Sequence, residues 1–99
     1  MILIAGTVRV AAGGLDKVRD AMETVLSATR AEDGCIQYAY ARDVLDPDLM
    51  HVSELWRDMD ALKAHGAATH MKIWGSAMRE AGVVERDLKW YEVGEGTPL

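Results

Sequence analysis

The residues of this chain best suited to chemistry lie between positions 54 and 74. Glu54 and Trp56 alternate along an extended run and so share one face of it. His65 stands just before Gly66, and His70 and Trp74 are four apart, one turn of helix. An imidazole titrates near neutral pH, so a histidine at the rim of an apolar pocket is a candidate base. Two histidines on either side of one helix break strengthen that reading. The same residues also fit a plain core with a few polar groups at its edge, since tryptophan usually fills volume. Metal binding is not expected. His65 and His70 are separated by a glycine-containing break, and no third ligand has a suitable spacing. Phosphate-cradling and nucleophile-elbow motifs are absent. Cys35 follows a glycine at the start of a strand and reads as a small buried hydrophobe.

The elements that must position these groups follow from the pattern. Ile2–Val10 is β-branched and apolar on both parities, which predicts a strand covered on both faces. After Gly13-Gly14, residues Leu15, Val18, Met22, Val25, Leu26 and Thr29 recur at helical spacing. This helix should end near Asp33-Gly34, where glycine can supply a left-handed cap. Cys35–Asp43 and Leu49–Trp56 read as a hairpin around the Leu45-Asp46-Pro47-Asp48 turn, with Tyr38 and Tyr40 on the parity opposite to Cys35. Asp58 is placed to cap a short helix to His65. Gly66 interrupts, Thr69 can cap a further helix to about Ala81, and Gly82 stops it. Val83–Val93 is a fourth strand. The order β-α-β-β-α-β, with the second helix broken, is the ferredoxin-like α+β arrangement of a four-stranded antiparallel sheet with helices on one face. The second apolar face of the first strand needs cover, which a second sheet in a homodimer would supply.

Composition narrows the function. Ninety-nine residues make one domain, and a chain this short buries a modest core. The net charge of −5, with no basic cluster, argues against nucleic acid and anionic membranes as partners. Nothing reaches transmembrane length, and MILIAGTVRV has neither the basic flank nor the length of a signal peptide. The lone cysteine suits a reducing cytoplasm.

The series Glu32-Asp33-Gly34-Cys35, Tyr38, the acidic turn with Pro47, Glu54-Leu55-Trp56, Ala61-Leu62, His65 and Thr69-His70-Met71 resembles the antibiotic biosynthesis monooxygenase superfamily. It is most similar to the bacterial quinol monooxygenase branch. The resemblance covers nearly the whole chain. It implies a dimeric α+β barrel that oxidises a small aromatic quinol, phenol or polyketide-like substrate with O₂ and no cofactor. An ionised hydroquinone is itself a good reductant, so the protein need supply only a base, an apolar pocket and stabilisation of the anion. By this resemblance His65 and His70 are candidates for base and orienting group, and Trp56, Trp74 and Tyr38 for pocket walls. Glu54 either orients a donor or pairs with a strand residue such as Arg42. The haem-degrading members share the fold, but Gly75, Thr7 and His65 occupy the positions of their axial histidine, asparagine and tryptophan, which argues against haem. Two rival readings use the same pocket: a non-enzymatic binder of hydrophobic aromatics, and a polyketide isomerase or cyclase.

Overall fold

Ile2–Val10 forms β1, at the centre of the sheet, in a computed structural model that describes all of residues 1–99. β1 is followed by α1 (Gly14–Lys17), α2 (Arg19–Arg30), β2 (Cys35–Arg42), β3 (Leu49–Trp56), α3 (Met59–Ala67), α4 (Thr69–Ala81) and β4 (Val83–Glu92). The sheet is antiparallel throughout, in the order β2-β3-β1-β4. This is the ferredoxin-like arrangement expected from the pattern. No helix is long and apolar enough to cross a membrane.

Alternation sorts the strand side chains. Ile2, Val8 and Val10 of β1 and Met50, Val52, Glu54 and Trp56 of β3 are buried on the side that carries the helices. Tyr38 of β2 joins them. The main core sets Val8, Val10, Met50 and Val52 against Leu15, Val18 and Val25 and against Trp74, Ala77, Met78 and Ala81 of α4. A smaller cluster of Ile2, Tyr38, Trp56 and Ala61 closes the end near α3.

Three local details differ from the sequence expectation. The first helix is broken at Val18, whose φ of −111° and ψ of 17° are not helical. The break lets both Leu15 and Val18 reach the core. Gly66 does not interrupt the second helix but lies inside α3. Ala68, at φ −68° and ψ 146°, makes the break instead. Thr69 is already inside α4, one position too late to cap it, and α4 has no side-chain cap. Asp58 does cap α3, accepting from the Ala61 N–H at 2.8 Å.

Gly6 is required where β1 meets β4. Its φ is 147°, and a Cβ there would stand 1.9 Å from the Asp87 carbonyl oxygen. The offending atom is backbone and cannot swing aside. Gly6→Ala is expected to lower stability by at least about 1–3 kcal/mol, the range for a strained backbone position. Thermal unfolding checks it, and an unchanged midpoint would show that β4 shifts freely.

Candidate functional site

A cavity of about 270 Å³ lies between the sheet and α4. All four strands furnish its floor, through Val8, Tyr38 and Tyr40, Met50, Val52 and Glu54, and Arg86 and Leu88. Met71, Trp74, Gly75 and Met78 of α4 form the roof. Gly75 takes part for want of a side chain: nothing lies within 4 Å of where its Cβ would be. Trp74 stacks on Tyr40, ring centroids 5.6 Å apart and planes 21° apart, so the walls are flat and aromatic. A mostly apolar cavity with a few convergent polar groups is the usual form of a small-molecule site. A larger depression of about 420 Å³ runs between α1, α2 and the end of β2. It shares Tyr40 and Met50 with the cavity, and an Arg42–Asp16 ion pair of 2.7 Å lies at its side.

Four polar side chains converge on the cavity. The Tyr38 and Tyr40 hydroxyls are hydrogen-bonded to each other. Burial pushes both phenols well up from their ordinary range, so they stay neutral. Glu54 is buried at 7% exposure, and its Oε1 accepts from the Trp56 indole N–H at 3.0 Å. Burial raises its carboxyl above the usual range, against the lowering effect of the indole N–H. Arg86, on the cavity side of β4, has no carboxylate within ion-pair distance. The cavity thus holds a buried carboxylate of raised basicity, with an exposed, unpaired cation at its edge.

A second polar centre lies beside it. Glu32, in the turn after α2, reaches both histidines. Its Oε2 is 2.9 Å from His65 Nδ1, and its Oε1 is 2.7 Å from His70 Nε2. His65 packs its ring on Trp56 at 4.6 Å and on Tyr38 at 5.3 Å. Burial lowers the His65 pKa, although Glu32 works in the opposite direction. Contacts therefore run without a gap from Glu54 through Trp56 and His65 to Glu32.

Of the residues singled out from the sequence, Tyr38, Glu54 and Trp74 line the cavity. Neither His65 nor His70 does; His65 opens instead on an outer cleft beside Glu32 and Asp60. Trp56 is fully buried and is not a wall, because the end of β3 lies under α3 and His65. Glu54 pairs with the Trp56 indole rather than with Arg42, which goes to Asp16. Spacing also missed the third donor beside the two histidines. Glu32 is 33 residues before His65, and only the fold brings it there. Arg86 was overlooked as well. Its one signal is that it shares parity with Leu88 on a strand whose partner face, through Val8, is core.

This fold and this aromatic, charge-bearing cavity define a class. The family model for antibiotic biosynthesis monooxygenases matches residues 1–75, and the chain belongs to that family. Solved structures agree. A Deinococcus radiodurans protein named for these monooxygenases is 26% identical, with a TM-score of 0.88, over 100% of this chain and 98% of that one. One from Caulobacter crescentus, similarly named, is 26% identical with a TM-score of 0.83, over 95% and 90%. A Pseudomonas aeruginosa protein is 30% identical with a TM-score of 0.77, over 94% and 93%. No curated protein matches the chain significantly.

Proposed function

We propose that the chain is a cofactor-independent monooxygenase of the quinol-oxidising kind, acting on a small electron-rich phenol or quinol, and that it works as a cytoplasmic homodimer. The observation that carries this is that Glu54 and Arg86 both line one aromatic cavity. A flat phenol lies beside the stacked Tyr40 and Trp74 rings, over the apolar floor. Glu54 takes the hydroxyl proton, and the Arg86 guanidinium holds the phenolate that forms. The electron-rich ring then reduces O₂ directly. For a phenol with a free ring position, O₂ forms a bond to that carbon. One oxygen remains as the new quinone carbonyl and the other leaves as water, taking the hydrogens of the O–H and the ring C–H. Substrate plus O₂ gives quinone plus water, with no outside reductant. In this reading His65 and His70 act through neighbours. His65 fixes the rings of Tyr38 and Trp56, and Glu32 ties His65 to His70.

The test is oxygen uptake with hydroquinones and naphthols in metal-free buffer without flavin. One O₂ consumed per quinone formed is expected. Tight binding without uptake would make the protein a binder, and a rearranged product without uptake would make it an isomerase.

The dimer rests on the uncovered face of the sheet. Leu3, Ala5 and Leu55 have the parity that points away from the helices, and Tyr91 beside them is 47% exposed. Leu3, Ala5, Leu55 and Tyr91 make an apolar patch at one end of this face, which favours cover by a second copy. Light scattering should return about twice 10.9 kDa. A lasting monomer at micromolar concentration would rule the dimer out.

A further inference from the structure

The Glu32 carboxylate is shared between two imidazoles that reach it from opposite sides of the Ala68 break. On the His65 side the contact is a hydrogen bond of 2.9 Å. On the other side Glu32 Oε1 and His70 Nε2 stand 2.7 Å apart without hydrogen-bond alignment. Both atoms are closed off from solvent, and neither has any other hydrogen-bond partner. Buried polar atoms are seldom left unsatisfied, and a bound ion is one physical reason for such a pair. One donor atom from each of the three residues lies within 4.8 Å of the other two.

We propose that Glu32, His65 and His70 form a binding site for a divalent transition ion of zinc-like chemistry, separate from the cavity under α4. Two imidazoles and one carboxylate suit zinc and its first-row neighbours. Magnesium and calcium take oxygen donors. Ligand atoms bound tetrahedrally at about 2.0–2.2 Å to one such ion stand roughly 3.3–3.6 Å apart. Separate carboxylate oxygens stand 2.9 Å from His65 Nδ1 and 2.7 Å from His70 Nε2, and one donor atom of each residue lies within 4.8 Å of the others, so the side chains spread by rotation to seat the ion. The ion displaces the proton shared between His65 and Glu32 to solvent. Access comes from an outer cleft of about 310 Å³ that reaches Glu32 and His65 and carries Asp33 and Asp60 on its walls. Water entering there completes the coordination. The three ligands come from the turn after α2, from α3 and from α4. A bound ion would therefore tie these elements together.

The binding measurement needs no substrate and is independent of the proposed oxidation. Chelator-treated protein is titrated with Zn²⁺ by calorimetry and with Co²⁺ by visible absorption. One ion per chain is expected, with ligand-field bands for Co²⁺ and a higher melting temperature for the Zn²⁺-loaded protein. Glu32→Gln and His70→Ala should each weaken affinity tenfold or more. His51→Ala removes the remaining histidine, which pairs with Asp43 elsewhere, and should change nothing. Glu32→Gln is nearly isosteric and keeps the comparison valid if His70→Ala folds poorly. No saturable binding, or binding undiminished in the folded Glu32→Gln protein, would overturn the site.

Discussion

Glu54→Gln is expected to slow O₂-dependent phenol oxidation by about 10²–10⁴-fold, the usual contribution of a positioned base, while the chain stays folded. The amide oxygen can still accept from the Trp56 indole, so the 3.0 Å contact is not lost. What disappears is the ability to take a proton. The pH dependences of rate and stability should have opposite signs. Burial raises the Glu54 carboxyl in the folded state above its unfolded value. The folded chain therefore holds that proton more tightly, and the stability it gives is fully present below the unfolded pKa. That stability is lost as pH rises through the raised folded pKa. The rate needs the carboxylate and so climbs through the same raised pKa. Glu54→Gln should flatten both curves and melt no lower than the parent at neutral pH. Rate and melting temperature measured across pH on both proteins decide the matter. A variant that keeps its full rate would take the base role away from Glu54.

Trp56→Phe is expected to move the midpoint of the rate profile upward by about 1–2 pH units. A hydrogen bond to a charged group contributes about 1.5–3 kcal/mol, and one pKa unit corresponds to about 1.4 kcal/mol. Trp56 does not line the cavity, and its one hydrogen bond is to Glu54, so a shift of the midpoint reports on that carboxyl. With the indole N–H gone, the buried carboxylate loses its donor and its proton is held harder. Stability falls too, because Trp56 is fully buried and the smaller ring leaves a void. That cost should stay below the about 3–5 kcal/mol of truncation to alanine. The profile separates the two roles. A lower melting temperature with an unmoved midpoint would mean that Trp56 only fills space.

The order of elements was legible because it depends on local periodicity. β-branched residues apolar on both parities placed β1 at Ile2–Val10, and strand alternation beyond the acidic turn placed β3 at Leu49–Trp56. The same alternation put Glu54 and Trp56 on one face, and the fold makes them a hydrogen-bonded pair. Gly82, left-handed at φ 79°, ends α4 where its type suggested. Resemblance supplied the family. The site divided differently, because contact between distant segments is not written in spacing. His65 and His70 read as a pair facing a pocket, yet the turn bearing Glu32 folds over them and draws both imidazoles to its carboxylate. Arg86 had no special place in the sequence pattern, and the pairing of β4 with β1 through Val8 carries it to the cavity wall. Tyr40 became a wall only when α4 laid Trp74 across it. The sequence by itself determined the elements, their faces and their order, because periodicity and turn chemistry act within a few residues. The tertiary structure alone decided which charged groups share the cavity and which share Glu32, since antiparallel register and the break at Ala68 bring together residues 30 or more positions apart.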